Sequence, residues 1–583
     1  MMVALGHRGA VFLLIAICVS IGSTLEITFV HTNDIHTRFE ETDDSGGECT
    51  DQVAQCFGGI ARRATAIKNS RENDPNVILI DAGDQFQGPT LWFYVYKGLA
   101  TAHFMDLLQY DAMALGNHEF DNGVEDVIRF LHNVSFPVIS SNIDSSNEPE
   151  MTNLYTSSHV RIVEGQQVAF VGYTTVTTVN FAKPGNLVFE DEVSALGREV
   201  GRLQEEGIDI IIALGHSGID KDLEIARSVP GIDVVVGGHS NTFLYSGEAP
   251  ATHTPYGEYP LVIRPDDDPS RTVLVVQAYA YGIYLGHLSV SFDNNGEVES
   301  YNGNPILLDS RIEKDPEMFA EMLRWNEQVQ AVASSVIGKS VVELDGNFYS
   351  CGIGECNLGN VLADAMVFSY IDESVDHEGW TKVSLAINTA GSIQSSLEKG
   401  EIRIGEINQI LPYGNTIDIV TLEGRHLIEI LETAVANVIE SVPSGSFPQV
   451  SGMKIEYDLL RAPMERVLGV QVLCSECTVP IYEPIMEDVE YRVAMNSYMA
   501  GGGGGFQLVK EHTRSKESGL LDLDVTISYI SANSPVRTGI ENRIVVYDSQ
   551  RRPISNKGIS STSYKTWIGL KIIVVFLLCE MIW

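Results

Sequence analysis

The sequence predicts an α/β protein with metal-binding side chains at the carboxyl ends of its strands. Five short apolar runs rich in β-branched residues are typical of buried parallel strands: ITFVH, NVILID, DAMAL, DIIIAL and VDVVVG. Strand-like runs alternate with helix-length stretches from Leu25 to about Leu308, as in an α/β sandwich. Ligands of such sheets bind beyond the carboxyl ends of the strands.

Each run is followed at once by side chains that bind metals. They are Asp34 and His36 in HTNDIH, Asp84 in DAGD, Asn117 and His118 in GNHE, His216 in LGHSG, and His239 in GGHSN. A pair of divalent ions needs a shared carboxylate, further oxygen ligands and imidazoles, which predicts a two-metal phosphoesterase. Asp84 is the predicted bridge. Asp34 and His36, in a segment predicted to be extended, would reach one ion from the same side.

His118 is predicted to act in catalysis rather than as a ligand. Adjacent side chains diverge, and Asn117 takes the ligand position. Asp121 would hydrogen-bond to the imidazole and favour its protonated form, as a proton donor or transition-state stabiliser requires. The alternative is that Asp121 caps the helix predicted in DNGVEDVIRFL. Asp81 is predicted to brace the glycine turn of its motif, and the predicted reaction is in-line displacement at phosphorus.

The length of 583 residues predicts more than one domain. The α/β sandwich is predicted over residues 25–310. Apolar residues at helical spacing then predict a connecting helix within 311–336. A second α/β region is predicted over 337–549, with helices in GNVLADAMVFSYI and RHLIEILETAVANVI.

The two ends of the chain predict export and anchoring. Residues 1–24 combine a basic start, an apolar stretch and small residues, as a secretory signal does. Residues 550–583 end in an apolar tail typical of a signal exchanged for a glycolipid (GPI) anchor on the extracellular face of the plasma membrane. Asn556 is the candidate attachment residue, with Ser555, Gly558 and Ser560 as alternatives. A transmembrane tail is the alternative to the lipid anchor, and a secreted form is the alternative location. The net charge of -40, without basic clusters, excludes nucleic acid as a partner.

Six cysteines outside these end segments fall into three close pairs: Cys49 and Cys56, Cys351 and Cys356, and Cys474 and Cys477. In an exported chain such pairs predict local disulfides. Zinc binding through Cys474 and Cys477 is the alternative. Asn133, in the triplet NVS, is a glycosylation acceptor by pattern.

The sequence resembles the 5'-nucleotidase and apyrase family over essentially the whole mature chain. The segments that carry the resemblance include HTNDIHTRFEET, DAGDQFQG, DAMALGNHEFDNGVE, IIALGHSG and VDVVVGGHSNTFLY. The resemblance implies a four-layer α/β/β/α metallophosphoesterase domain and a C-terminal α/β domain that binds the nucleotide and rotates to carry it to the metals. It implies zinc or a similar divalent metal, the ligands and the His118–Asp121 dyad named above, and a homodimer.

The activity implied is that of an anchored extracellular 5'-nucleotidase acting on nucleoside 5'-monophosphates such as AMP, with apyrase-type cleavage of di- and triphosphates as the alternative. Tyr413 in LPYGN and Tyr498 in NSYMAGG stand where the family holds the base between aromatic rings, and Asn388 matches a substrate-contacting position. Without the family context, both tyrosines could be core aromatics. Gly504 replaces an acidic residue that holds the ribose.

The phosphate clamp is where the sequence departs from the family. Gly352, Gly354 and Gln394 stand where the family has arginines. Arginine makes bidentate, charge-assisted contacts to phosphate that glycine and glutamine cannot replace, each worth ~1.5–3 kcal/mol. The departure predicts weakened substrate binding. It also leaves open a nearly inactive paralogue that serves as a surface or secreted binding protein.

Overall fold

The computed structural model describes residues 24–49, 55–87, 90–371, 379–438 and 442–547. The predicted signal peptide up to residue 23 and the predicted anchor signal with Asn556 lie outside the described residues. Within the described residues, no helix is both long enough and apolar enough to cross a membrane.

Strands and helices alternate through the first half of the chain, as predicted. The strands are β1 Leu25–Thr32, β2 Val77–Asp81, β3 Ala112–Ala114, β4 Val138–Ile139, β5 Ile143–Asp144, β6 Ser158–Val163, β7 Gln166–Thr174, β8 Val188–Phe189, β9 Ile210–His216, β10 Val234–Val236, β11 Leu261–Ile263, β12 Val273–Val276, β13 Tyr284–Phe292, β14 Val298–Gly303 and β15 Ile306–Leu307. The helices are α1 Ile60–Asn73, α2 Leu91–Tyr96, α3 Gly98–Leu108, α4 Val124–Leu131, α5 Thr178–Phe181, α6 Glu192–Glu205 and α7 Ile219–Ser228. Short 3-10 turns lie at His118–Phe120 and Pro149–Met151.

All of these strands except β5 and β8, which pair with each other, form two mixed sheets that pack face to face. The first has the order β14-β13-β1-β2-β3-β4, with β15 beside β13, and the second has the order β11-β12-β10-β9-β7-β6. Between them lies an apolar layer in which the Phe29 and Phe170 rings meet edge to face at 6.3 Å. Leu196 of α6 packs on the outer face of the second sheet, and Phe104 of α3 packs on that of the first. The predicted α/β/β/α layering is confirmed.

All five apolar runs form strands, and they belong to both sheets. β1, β2 and β3 pair in parallel in the first sheet, whereas β9 and β10 pair in parallel in the second. Each run is an interior strand with at least one parallel neighbour, although β1 pairs antiparallel with β13 on its other side. The length and β-branched composition of the runs match their burial on both faces. The strand ends that carry the candidate ligands therefore converge from two sheets.

The second half begins with a connecting helix, α8 Pro316–Ala333. Asp315 caps it by accepting hydrogen bonds from the amides of Glu317 and Met318, and Pro316 occupies its first turn. Met322 and Val329 lie on its buried face.

The remaining elements form a second α/β unit. Its strands are β16 Val336–Ser340, β17 Leu385–Thr389, β18 Gly400–Arg403, β19 Ile417–Glu423, β20 Pro448–Ser451, β21 Met453–Tyr457, β22 Val467–Leu473, β23 Tyr482–Pro484, β24 Glu490–Asn496, β25 Ser515–Glu517 and β26 Ile544–Val546. Its helices are α9 Phe348–Cys351, α10 Asn357–Phe368, α11 Ile404–Ile410, α12 Gly424–Ala436, α13 Ser497–Ala500, α14 Gln507–His512 and α15 Asp522–Asn533, with 3-10 turns at Ala390–Ser392 and Gly503–Gly505. The sheet orders are β20-β17-β24-β19-β25, β23-β22-β21-β26 and β16-β18. Both predicted helices of this half are present as α10 and α12.

Disulfides join each predicted cysteine pair: Cys49 with Cys56, Cys351 with Cys356, and Cys474 with Cys477. The disulfide prediction is confirmed. The alternative of a zinc site at Cys474 and Cys477 is wrong, because both sulfurs are consumed by the bond between them.

Candidate active site

A cleft of about 1150 Å³ lies between the two halves of the chain. Candidate residues of both halves line it: His36, Asn117, His118, Asp121, His239, Gln394, Tyr413 and Tyr498. Gln87 donates a hydrogen bond across the cleft to the carbonyl of Gly414 at 2.7 Å. The predicted metal site and the predicted base site therefore face the same space.

The ligand loops leave their strands through strained backbone. Asp34 and His36 each have a φ of 52°, Asp84 has 56° and His239 has 76°. The expectation of an extended Asp34–His36 segment is wrong for this reason. Hydrogen bonds from the Asp34 amide to the carbonyl of Gly83 and from the His36 amide to the carbonyl of Asp84 impose the conformation. Left-handed backbone at non-glycine residues costs ~1–3 kcal/mol and clusters at functional sites.

Asp84 lies at the centre of the candidate ligands. Its carboxylate belongs to two groups whose ligand atoms lie within 4.8 Å of one another: His36, Asp84 and His118, and Asp84, His216 and His239. Asp34 also faces both groups, because its Oδ1 lies 3.9 Å from His36 Nε2 and 3.8 Å from His216 Nε2. The amide of His239 donates to the other oxygen, Asp34 Oδ2, at 3.0 Å.

Two imidazoles are held with one ring nitrogen turned towards these carboxylates. His36 Nδ1 donates to the carbonyl of Phe86 at 3.0 Å, and His216 Nδ1 donates to that of Ala82 at 2.7 Å. A carbonyl accepts only, so Nδ1 carries a proton in both rings and Nε2 faces the carboxylates. Metal-binding histidines are usually oriented in this way.

His216 is buried directly against the carboxylates of the candidate site. Its Nε2 lies 2.8 Å from Asp84 Oδ2. Burial lowers the pKa of His216, but the Asp84 and Asp34 carboxylates outweigh it and raise the pKa to about 10. The two carboxylates therefore favour a positive charge at this position, which is the charge that a divalent metal ion would supply.

Asn117 provides a second test of fit. Its Oδ1 is buried and has no hydrogen-bond partner among the described residues. A buried carbonyl oxygen without a donor is costly unless something binds it. Together with the free imidazole nitrogens, this oxygen fits a pair of divalent metal ions.

His118 points into the cleft and is held by Asp121. The His118 Nδ1–H donates to Asp121 Oδ2 at 2.5 Å, and 34% of the His118 side chain is exposed. Burial lowers the pKa of His118, but Asp121 and Asp84 outweigh it and raise the pKa to about 10. The alternative that Asp121 caps a helix is wrong, because α4 begins at Val124 after Gly123, without a side-chain cap.

Glu119 contributes to the candidate site, although it was not predicted from the sequence. Its buried carboxylate accepts hydrogen bonds from four backbone amides, those of Asp84, Gln85, Phe86 and Gly116. Burial and the charge of Asp84 raise its pKa to about 7. Glu119 therefore joins the loop that carries Asp84 to the loop that carries Asn117. The signal in the sequence is an acidic residue inside the motif GNHE.

Asp81 has the bracing role predicted for it. Its Oδ1 accepts from the amide of Gly83 at 2.9 Å, and its Oδ2 accepts from Gln85 Nε2 at 2.6 Å and from Thr32 Oγ1 at 2.5 Å. The carboxylate thus closes the turn before Asp84 and ties it to the end of β1.

We expect Glu119→Gln to loosen the Asp84 loop. An amide group replaces one acceptor oxygen with a donor that faces backbone amides, so the free energy of unfolding should fall by ~2 kcal/mol. Metal affinity should fall ~10–100-fold, as for other residues that support ligands. Thermal unfolding and metal titration measure both effects. The control is Glu125→Gln, an exposed carboxylate on α4; equal behaviour of the two variants would contradict the bracing role.

Tyr413 and Tyr498 lie on the surface of the cleft, whereas Asn388 is buried. Tyr413 is 55% and Tyr498 63% exposed on the cleft wall, so they are not core aromatics. Asn388 is 1% exposed and lies outside the cleft lining. Its Oδ1 accepts from Ser392 Oγ at 2.6 Å and from Asn496 Nδ2 at 3.2 Å. In this arrangement Asn388 orders the sheet end beneath the cleft.

The three positions at which the family has clamp arginines differ in their exposure and in the space available for a side chain. Gln394 is exposed and lines the cleft. At Gly352 a side chain would have no room, because its Cβ would lie 2.7 Å from the carbonyl oxygen of Phe348. Gly354 lies against Gln449, which donates to its carbonyl.

No arginine of the described part of the second half lines the cleft. Arg403 is hydrogen-bonded to Glu401 and to the carbonyl of Ser334, and Arg425 forms an ion pair with Glu423. Neither replaces the clamp.

Comparisons with known proteins agree with this geometry. Residues 27–243 match the family model of calcineurin-like phosphoesterases, and residues 336–511 match the 5'-nucleotidase C-terminal domain. The chain is 43% identical to the 5'-nucleotidase of Diplobatis ommata, over 97% of this chain and 98% of that one. It is 45% identical to the 5'-nucleotidase of Rattus norvegicus, over 89% and 90%.

Solved structures share the whole architecture. A 5'-nucleotidase precursor from Thermus thermophilus is 34% identical, with a TM-score of 0.61, over 90% of this chain and 99% of that one. A NAD nucleotidase from Haemophilus influenzae, at 23% identity and a TM-score of 0.69 over the same shares, has the same fold. The chain therefore belongs to the 5'-nucleotidase family, and it is a metal-dependent phosphoesterase with a calcineurin-like N-terminal domain and a 5'-nucleotidase C-terminal domain.

Proposed function

We propose that this protein is an extracellular 5'-nucleotidase that hydrolyses nucleoside 5'-monophosphates with the help of two divalent ions. The observation that carries the proposal is the position of Asp84, one carboxylate shared by two groups of potential ligands. Relatives named 5'-nucleotidase, at 43–45% identity over most of the chain, support the substrate class.

The proposed ligands lie on the cleft wall or are buried beside it: Asp34, His36, Asp84, Asn117, His216 and His239. When bound there, two divalent ions supply Lewis-acid stabilisation of charge that develops on the phosphoryl group. We propose zinc, although a set of carboxylate, amide and imidazole ligands also suits manganese or cobalt.

The side chains of the cleft supply binding and proton handling. Asp121 keeps the proton on His118 Nδ1, so that the protonated ring presents Nε2–H to an oxygen of the phosphate or of the leaving group. Tyr413 and Tyr498, exposed on the opposite wall, offer ring faces to the base. The cleft thus brings the phosphate to the metals while the base stays on the C-terminal domain.

Phosphate release by the purified mature protein tests the proposal. The substrates are AMP, ADP, ATP and a generic aryl phosphate, each with zinc present. We expect kcat/KM to be highest for AMP. Preference for ADP and ATP would instead establish the alternative activity, apyrase-type hydrolysis of nucleoside di- and triphosphates. Cleavage of the aryl phosphate alone, with no nucleotide cleaved, would overturn the 5'-nucleotidase assignment.

The depleted phosphate clamp has its own test. Gln394 is exposed on the cleft wall, so Gln394→Arg adds a guanidinium without disturbing buried contacts. One charge-assisted contact is worth ~1.5–3 kcal/mol, so KM for AMP should fall ~10-fold or more. The matched control is Gln394→Met, which has similar length and no charge. An unchanged KM in the arginine variant would show that the missing clamp does not limit binding.

The nearly inactive paralogue remains the second candidate because of Gly352, Gly354 and Gln394. It requires that the native protein bind AMP without releasing phosphate. Calorimetric binding with no turnover would establish it, and turnover of AMP would exclude it.

We also propose the domain bounds 25–310, 311–336 and 337–549, a signal peptide at 1–24, and a GPI anchor attached at Asn556 after removal of the following residues. Asn133 is exposed, as a glycosylation acceptor must be. Phospholipase release from cells tests the anchor, and retention of the protein would favour a transmembrane tail. The proposed homodimer is tested by sedimentation, where a single monomeric species would contradict it.

A further inference from the structure

A third group of metal-binding side chains lies in the second half of the chain, among residues that do not line the cleft. His426 and Glu429 stand three residues apart on α12 and so share one face of that helix. His512 is the last residue of α14. The ligand atoms of all three lie within 4.8 Å of one another.

The three side chains form one compact arrangement. The two imidazole rings are parallel within 4°, with their centroids 3.8 Å apart. Glu429 Oε2 lies 3.0 Å from His426 Nδ1. The Glu429 side chain is 50% exposed and that of His426 22%, so an ion from solution can enter and keep water in its remaining positions.

We propose that His426, Glu429 and His512 form an additional metal site, which binds a divalent transition metal and fastens α14 to α12. Two imidazoles and one carboxylate suit Zn²⁺, Cu²⁺ or Ni²⁺ rather than Mg²⁺ or Ca²⁺, which prefer oxygen ligands alone. Ligands of one zinc ion lie ~3.3 Å from each other, given zinc–nitrogen bonds of ~2.0–2.1 Å. Because lone pairs of imidazole nitrogen lie in the ring plane, the proposal requires the stacked rings to turn about their side-chain bonds until one nitrogen of each faces the ion.

The position of α14 indicates what the ion would do. This helix is separated from the glycine run 501–505 by Phe506 alone. The run packs beside Tyr498, because a Cβ at Gly503 would lie 2.5 Å from the Tyr498 ring. The glycine run has few side chains to restrict it. An ion that holds His512 against α12 would therefore limit the motion of the segment that supports one wall of the proposed base site.

Zinc counting tests the site. The native mature protein and its variants are stripped with a chelator, dialysed against Zn²⁺, and analysed for zinc per chain. We expect the native protein to hold one equivalent more than His426→Ala and His512→Gln. His132→Ala, which removes an exposed histidine on the other domain, is the matched control and should equal the native protein. Equal zinc content in the native protein and both site variants would overturn the proposal.

Two further measurements separate this site from the cleft. In an Asp84→Ala background the zinc that remains should disappear when His426→Ala is added; no difference between the single and double variants would also overturn the proposal. Hydrogen exchange of the amides of residues 501–512 should slow several-fold on zinc addition in the native protein and not in His426→Ala. Unchanged exchange in the native protein would refute the fastening role. Neither readout depends on nucleotide hydrolysis.

Discussion

Asp84→Ala should abolish binding of both proposed metal ions of the cleft. Its carboxylate is shared by two groups of potential metal-binding side chains, whose other members, His36, His118, His216 and His239, belong to one group each. Lewis-acid stabilisation by bound ions is worth several kcal/mol, and each ~1.4 kcal/mol is a factor of ten in rate. We therefore expect kcat/KM to fall ~10³-fold or more for AMP and for an aryl phosphate alike, with loss of the cleft metal.

Two further variants make this result specific. Asp84→Asn keeps the oxygen that accepts from the His118 amide but removes the charge, so it should retain more metal than Asp84→Ala. Glu125→Gln should behave as the native protein. If Asp84→Ala retained more than a tenth of the activity, or lost one ion while the other stayed in the cleft, the assignment of Asp84 as the bridge would fail.

His118→Ala should lower kcat while leaving the metals in place. A positioned proton donor typically contributes ~10²–10⁴-fold, and we expect a loss of that size with KM for AMP little changed. Zinc content should equal that of the native protein, because the proposed ligand set does not include His118. Steady-state kinetics and metal analysis on the same preparation provide both values.

Asp121→Asn then tests the partner of His118. It keeps the shape of the side chain and removes the charge that raises the pKa of His118, so kcat should fall ~10–100-fold. Full activity of His118→Ala would eliminate the dyad. Loss of one metal equivalent in that variant would instead make His118 a ligand. His132→Ala, remote from the cleft, controls for removal of an imidazole.

The strands could be predicted because their signal is local. The apolar, β-branched composition of a run such as NVILID itself indicates a buried strand, and β2 lies within that run. The division of the runs between two sheets has no such signal. β3 and β9 lie about a hundred residues apart in the sequence, and which of them joins the sheet of β1 depends on long-range contacts that the sequence of neither strand indicates.

The candidate ligands could also be identified from short segments of sequence, whereas their backbone geometry depends on distant parts of the chain. Asp34 and His36 could be selected by residue type, but their left-handed backbone is imposed by carbonyls of the neighbouring loop at Gly83 and Asp84. Glu119 was missed for the same reason. Its carboxylate accepts hydrogen bonds from amides more than thirty residues earlier in the chain. Neither secondary-structure propensity nor hydrophobic periodicity indicates such a contact.

The origin of the ligands from two sheets has a consequence for folding as well as for chemistry. Asp34 follows β1 of the first sheet, and His216 ends β9 of the second, so a metal ion held by both is a cross-link between the two layers. Such an ion binds only the assembled form, and at a free concentration one hundred times its dissociation constant it adds ~2.7 kcal/mol to the free energy of unfolding. We therefore expect the melting temperature to rise with the free concentration of the divalent metal that these residues bind, and to fall when a chelator removes it.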